Sequence, residues 1–318
     1  MTDADFMRRA NFLAVRGLGH TRPNPPVGAV VVKGGRIVGE GWHRRAGGDH
    51  AEVAAIKNAR RRGLKSFAGT TLYVTLEPCS KPGRVGACTD AIIAAKVPRV
   101  VYAVPDPNPK NRGKAKRALA KAGIACERFK GDKETVRAAE ALIAPFAKHV
   151  TTGLPYVAVK LAMSLDGRIC DDFGDAKWIS SARARRATCR IRERVDAIMV
   201  GAETVRRDDP SLLAHVKPNP DLIRVVVSKS GKLPKAAQVF ADGKNPTLVF
   251  DDAEKAMVEL GKQGITSVLC EGGMKLAVSL ARAGLVDEWL VVLAPKVIGR
   301  RRIGEATTIG SVECLLDS

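Results

Sequence analysis

Two consecutive α/β domains are what this sequence of 318 residues predicts, and three observations predict them. Short β-branched runs alternate with helical stretches in both halves, as strand–helix units require. The length suits two domains, and an apolar content of 45% supports a core in each. The pattern breaks at His149-Val150-Thr151-Thr152-Gly153-Leu154-Pro155, where charge density falls and a new strand begins. Residues 1–148 and 149–318 are therefore read as separate domains, the first an α/β sandwich.

In the first half, residues 6–18 carry apolar residues at helical spacing, and the proline-bounded loop Thr21-Arg22-Pro23-Asn24-Pro25-Pro26 stops them. The apolar runs 27–32 and 37–42 flank Lys33-Gly34-Gly35-Arg36 and read as a hairpin. A helix over 51–62 follows, then a strand over 71–75 that delivers Glu77-Pro78-Cys79 at its carboxyl end. Cys88 precedes the helical run Ala91-Ile92-Ile93-Ala94-Ala95, with Asp90 in its first turn. A strand over 100–104 ends in Asp106-Pro107-Asn108-Pro109. A helix near 116–122, a short strand at Ile124 and a helix over 135–147 complete the half. Ligands in such sheets bind beyond the carboxyl ends of strands, which groups Cys79 with Asp106 and Asn108.

The chemistry concentrates between His50 and Cys88. His50-Ala51-Glu52 is followed after 24 residues by Glu77-Pro78-Cys79 and after eight more by Cys88. His50, Cys79 and Cys88 supply three zinc ligands, and a catalytic zinc keeps its fourth position for water, whose pKa falls to about 7. Glu52 is then free to carry the proton to a leaving nitrogen. His-x-Glu followed by Pro-Cys and a second Cys is the signature of zinc nucleotide deaminases. Residues i and i+2 do not share a helix face, so His50 must sit at the irregular entry of its helix. A structural zinc site would need a fourth Cys or His; none lies inside this stretch, and His43 is the nearest spare histidine.

Charge is uneven. Residues 1–148 hold 28 Lys and Arg against 12 Asp and Glu, a net +16, while the remainder is near +4. A basic excess suits an anionic small-molecule substrate or RNA, and a solvated surface accounts equally well for Arg60-Arg61-Arg62. Aromatic residues are only 4%, so base-stacking platforms are scarce and nucleic acid is disfavoured as partner. No run of 18 apolar residues predicts a membrane span. The acidic start Met1-Thr2-Asp3-Ala4-Asp5 lacks a signal pattern, and seven scattered cysteines form no disulfide framework. Together these predict a cytoplasmic protein.

In the second half, strands are expected at 156–162, 197–201, 222–228, 247–250, 267–270 and 288–294, and helices at 182–193, 254–263 and 275–283. Glu271-Gly272-Gly273 marks a strand-to-helix junction where backbone N–H groups can approach a phosphate. Asp166-Gly167 is a turn signal, and Asp208-Asp209-Pro210 reads as a helix start with proline in its first turn.

A resemblance covers nearly the whole chain. Pro23-Asn24-Pro25-Pro26-Val27-Gly28-Ala29-Val30, His50-Ala51-Glu52, Thr75-Leu76-Glu77-Pro78-Cys79-Ser80, Cys88-Thr89-Asp90-Ala91 and Asp106-Pro107-Asn108-Pro109 resemble the deaminase half of the bifunctional riboflavin-biosynthesis deaminase/reductases. Lys160-Leu161-Ala162-Met163-Ser164-Leu165-Asp166-Gly167-Arg168, Trp178-Ile179-Ser180-Ser181, Asp208-Asp209-Pro210-Ser211-Leu212 and Glu271-Gly272-Gly273 resemble their reductase half. The resemblance implies a cytidine-deaminase-like three-layer α/β/α domain followed by a dihydrofolate-reductase-like α/β domain. It implies zinc-dependent deamination of a phosphorylated ribosylaminopyrimidine, then NADPH-dependent reduction of the ribosyl group to ribityl, in a homo-oligomer. It assigns Glu52 to catalysis, His50, Cys79 and Cys88 to zinc, and Asn24, His43, Arg84, Asp106 and Asn108 to the first substrate. It assigns Lys160, Arg192, Leu212, His215 and Glu271 to the reductase site, and Ala162, Trp178, Thr204, Asp208 and Gly273 to the cofactor. His215 stands where the family places an arginine for the substrate phosphate.

Overall fold

The computed structural model describes residues 1–81, 86–174, 179–215, 217–300 and 307–308. The chain forms two compact units, Met1–Gly153 and Leu154–Ser318.

Helix α1 (Asp3–Val15) opens the first unit. It begins earlier than the apolar spacing suggests, because Thr2 and Asp5 make a reciprocal capping box. Strands β1 (Gly28–Lys33) and β2 (Arg36–Trp42) form the expected hairpin. Helix α2 (Ala51–Arg61), β3 (Thr70–Leu76), α3 (Cys88–Ala95), β4 (Arg99–Val104), α4 (Lys114–Lys121), β5 (Ala125–Arg128) and α5 (Lys133–Thr152) follow. The sheet order is β2-β1-β3-β4-β5. Strand β1 runs antiparallel to both neighbours, while β3, β4 and β5 run parallel. Helices α1 and α5 pack on one face and α2, α3 and α4 on the other, giving three layers.

Glycines let the helices lie directly on the strands. A Cβ on Gly28 would come within 2.0 Å of the Ala10 carbonyl oxygen in α1, and one on Gly41 within 2.3 Å of the Ala55 nitrogen in α2. Any side chain at Gly41 would therefore displace α2, and with it His50.

Helix α5 runs past the residue where the apolar pattern suggested an end. Pro145 removes one N–H donor inside it, yet the helix continues until Gly153 closes it in the left-handed region, at φ 77°. The division between the units thus falls after Gly153, and the helix carries residues 149–152 into the first unit.

The second unit contains β6 (Tyr156–Ser164), α6 (Ala182–Arg192), β7 (Ala197–Gly201), α7 (Ala202–Asp208), β8 (Ile223–Val227), α8 (Gln238–Ala241), β9 (Thr247–Phe250), α9 (Ala253–Lys262), β10 (Ser267–Cys270), α10 (Met274–Arg282) and β11 (Glu288–Ala294), with a small β12 (Lys296–Val297) and β13 (Thr307–Thr308) pair. The main sheet runs β11-β6-β10-β7-β8-β9 and is parallel at every described pairing. Its central strands are buried on both faces, Val157, Val159 and Met199 in one cluster and Ala158, Ile198 and Val200 in the other. That double burial explains their unbroken apolar runs. The sequence did not reveal α7. Asp208 and Asp209 close that helix rather than open one, and Asp209 takes a left-handed conformation at φ 42°.

A buried carboxylate fixes the start of the central strands. Asp196 Oδ2 accepts from Thr266 N at 2.8 Å, Thr266 Oγ1 at 2.7 Å and Ser267 N at 3.2 Å. Removing it strands these buried donors, so Asp196→Ala is expected to cost about 3 kcal/mol. Urea unfolding followed by circular dichroism measures this; an unchanged midpoint contradicts it.

Candidate active sites

In the first unit three elements deliver three donors to one point. His50 is the extended N-cap of α2, at φ −70° and ψ 163°, and uses no side-chain cap bond there. Cys79 lies just beyond β3, and Cys88 is the first residue of α3. His50 Nδ1 lies 3.1 Å from Cys88 Sγ and 3.5 Å from Cys79 Sγ, and all three atoms lie within 4.8 Å of one another. Ligands of a tetrahedral zinc, with Zn–S about 2.3 Å and Zn–N about 2.0 Å, stand roughly 3.6 Å apart, so the donor set fits that ion in spacing and chemistry.

The electrostatics favour thiolate. Cys79 is driven down to about 4 by the hydrogen bond from the Cys88 thiol and by the His50 ring, and it also accepts the Cys88 backbone N–H at 3.3 Å. The Cys88 thiol is pushed up, first by that same bond and then by burial. His50 is raised chiefly by its bond to Cys79. Glu52, only 3% exposed, is pushed up to about 7 by burial and by the neighbouring Cys79 charge. A bound cation would oppose burial at Cys79, Cys88 and Glu52, favouring their anions, and would act with burial at His50, favouring the neutral ring.

A cavity of about 250 Å³ opens beside them. Its wall includes Asn24, His43, Asp106 and Asn108, so four residues assigned by resemblance converge with the ligands. Arg84 lies outside the described residues. His43 Nδ1 lies 3.0 Å from the Asp49 carbonyl oxygen, which can only accept, so this nitrogen carries the proton. Nε2 is then the acceptor facing the Asn24 amide at 3.2 Å. Burial lowers the pKa of His43 and keeps the ring neutral. Asp106 Oδ1 accepts the Asn108 N–H at 2.8 Å, and burial raises its pKa.

Glu77 was legible as part of a motif, without a role. Its Oε2 accepts from Asp106 N at 3.2 Å and from Gly113 N at 3.1 Å, pinning the β4–α4 loop to the end of β3. Phe146 and Asn111 also line the cavity. Phe146 comes from α5, too distant in sequence for any local pattern to announce it.

In the second unit the register of β6 and β10 pairs Val159 with Cys270, so Lys160 and Glu271 follow side by side. Arg192, the last residue of α6, grips Glu271 with both forks, Nε to Oε1 at 2.7 Å and a terminal nitrogen to Oε2 at 3.0 Å. It also donates to the Leu213 carbonyl at 3.2 Å. Much of this guanidinium, assigned by resemblance to the reductase site, is therefore committed to Glu271 and Leu213. Burial lowers the pKa of Lys160, while Glu271 acts against that shift.

Leu212 is buried in the core at φ 53°, so only its backbone can serve a ligand. His215 Nε2 lies 2.9 Å from Ser211 Oγ. Gly273 is the N-cap of α10 without a side-chain cap, and a Cβ there would meet nothing within 4 Å. Such an open helix N-terminus suits a cofactor phosphate. Thr204 and Asp208 lie on α7, which follows β7, the neighbour of β10. Ala162 packs beside Ile179 and Ile298, and Trp178 lies outside the described residues.

Residues 1–104 match the family model described as the cytidine and deoxycytidylate deaminase zinc-binding region, and residues 155–313 match that of the RibD C-terminal domain. The riboflavin biosynthesis protein RibD of Escherichia coli is 38% identical over 100% of this chain and 94% of its own length. The chain belongs to the RibD family. The RibD of Aquifex aeolicus is 36% identical over 93% of this chain and 88% of its own. Among solved structures, the Thermotoga maritima diaminohydroxyphosphoribosylaminopyrimidine deaminase/5-amino-6-(5-phosphoribosylamino)uracil reductase superposes with a TM-score of 0.85 at 35% identity, covering 94% of this chain and 88% of that one. RibD of Acinetobacter baumannii gives 0.80 at 34%, covering 99% and 92%. Family membership makes this chain a zinc- and NADPH-dependent riboflavin-biosynthesis enzyme, a deaminase joined to a reductase.

Because Glu77 holds the loop that carries Asp106 and Asn108, Glu77→Gln should raise the deaminase KM roughly tenfold while leaving zinc content and kcat nearly unchanged. Steady-state kinetics with metal analysis tests this. Loss of zinc with an unchanged KM would place the carboxylate in the service of the metal instead.

Proposed function

We propose the following residue roles for the two reactions, hydrolytic deamination of 2,5-diamino-6-(5-phosphoribosylamino)pyrimidin-4-one and NADPH-dependent reduction of the ribosyl group to ribityl. The observation that carries the first is the convergence of His50, Cys79 and Cys88 beside the buried Glu52. These three residues would hold zinc, which supplies an activated water at neutral pH. Glu52 takes the proton of that water and returns it to the departing nitrogen, so water enters and ammonia leaves. Neutral His43, fixed by Asp49 and Asn24, and the loop residues Asp106 and Asn108 orient the pyrimidine by hydrogen bonds.

In the second reaction NADPH supplies hydride to the sugar C1 when bound. The bond from C1 to the ring oxygen breaks, and that oxygen takes a proton. Lys160 is the proton donor in this reading, its burial favouring release and Glu271 keeping it in place. Arg192 fixes Glu271 and offers its remaining N–H groups to the substrate. The uncapped start of α10 at Gly273 receives a cofactor phosphate. The enzyme acts in the cytoplasm as a homo-oligomer; no helix among the described residues is long and apolar enough to cross a membrane.

Glu52→Gln should retain zinc and abolish ammonia release, whereas Cys79→Ala should lose zinc as well. Metal analysis beside an ammonia assay separates the two, and turnover by Glu52→Gln would remove Glu52 from its role. Lys160→Met should slow NADPH oxidation by about a hundredfold or more while ammonia release continues. Undiminished NADPH oxidation would mean that another group supplies the proton.

A further inference from the structure

A dense cluster of positive charge on the first unit lies away from the zinc cavity. Among the described residues that cavity is lined by three carboxylates, Glu52, Glu77 and Asp106, and by no lysine or arginine. A separate groove of about 810 Å³ lies along the outer edge of the sheet, between β2 and α2, and shares no lining residue with the cavity.

Five arginines line this groove: Arg44 and Arg45 after β2, and Arg60, Arg61 and Arg62 at the end of α2. All five are exposed, and among the described residues none has an acidic partner. The two acids in the wall are already matched, Glu40 by Arg9 at 2.7 Å and Asp49 by Lys57 at 2.8 Å. The groove thus presents an unneutralised cationic surface. Stacking holds part of it in place: Arg44 lies 4.4 Å from the Trp42 ring and Arg60 5.7 Å from the Phe67 ring. A guanidinium resting on a ring keeps its N–H edge outward at little further entropy cost. Arg16 also lies 5.1 Å from Trp42, so that ring is occupied by cations rather than offered to a base.

We propose that this groove is a binding site for a chain of phosphates, engaged by guanidinium groups through its backbone and without base readout. Two sources share that chemistry, single-stranded RNA and inorganic polyphosphate. Phosphates bridging successive arginines would relieve the repulsion among Arg60, Arg61 and Arg62 more fully than a single phosphate.

The test is fluorescence anisotropy of the full chain with a labelled oligouridylate of about 15 nucleotides. With five phosphates neutralised, affinity should fall by about a hundredfold between roughly 50 and 200 mM salt. The triple variant Arg60→Ala/Arg61→Ala/Arg62→Ala should weaken binding and reduce the salt slope to that of about two contacts, with ammonia release unchanged. Arg44→Ala/Arg45→Ala provides a second variant that should also weaken binding and lower the slope. Competition by polyphosphate as well as RNA identifies the phosphate chain as the recognised feature, and competition by RNA alone names RNA as the source; either supports the site. No salt-dependent binding, binding by both variants as tight as that of the unaltered chain, or equal competition by ATP at matched phosphate concentration overturns it.

Discussion

The deaminase half depends on one constraint: two sulfurs and an imidazole nitrogen must meet beyond the end of β3. No single element can supply all three. The fold solves this by placing the starts of two helices at the carboxyl end of a parallel strand. Positive helix ends and free N–H groups there favour thiolate, and the Cys88 backbone N–H indeed donates to Cys79. The close approach of α2 to β2 at Gly41 holds the His50 end of that arrangement. Glu52 follows as a consequence. At the second position of α2 it points inward beside these donors, and its burial sets it apart from a surface carboxylate, as the proposed role of proton carrier requires.

The reductase half meets a related problem without a donor cluster of this kind. Lys160 in β6, Glu271 just after β10 and Arg192 at the end of α6 are charges held against a largely apolar sheet, and isolated buried charges are costly. Strand register puts Lys160 beside Glu271, and the fork of Arg192 completes the carboxylate. The group therefore contains two cations and one anion, an excess of positive charge suited to an anionic substrate or cofactor. Arg192 also reaches Leu213, so the ion pair ties the end of α6 to the segment carrying Leu212 and His215.

Periodicity made most elements legible, because strands buried on both faces and helices laid on a sheet write their burial directly into the apolar pattern. The zinc donors were legible for a different reason: few arrangements other than a metal site place His, Glu and two Cys at such intervals. What escaped the sequence was long-range or contextual. The apolar pattern suggested an end to α5 at residue 147, yet the helix holds Pro145 inside it and persists to Thr152, because one missing hydrogen bond is outweighed by packing along the rest of it. Asp208-Asp209-Pro210 reads equally well as the start or the end of a helix, and only the left-handed Asp209 decides. The grip of Arg192 on Glu271 spans 79 residues, and Glu77 reaches its loop across 29 and 36. No local pattern encodes such pairings.

Net charge says how much charge a segment carries and not where the fold places it. The excess of +16 in residues 1–148 suited an anionic small molecule, RNA or a solvated surface alike, and the described cavity wall is acidic and amide-rich. An acidic wall suits a neutral ring bearing amino groups, which donates hydrogen bonds to carboxylates and carbonyls. Positive charge close to the ligands would also compete with a metal cation for the thiolates. Holding the arginines on the outer edge of β2 separates these demands. Unpaired arginines beside an open strand edge discourage another strand from pairing there, so the groove protects the sheet even when it is empty. That function needs only scattered charge, whereas stacking of Arg44 and Arg60 on aromatic rings fixes the direction of their donors. Fixed donors are a requirement of ligand recognition, and strand protection gives no reason for them.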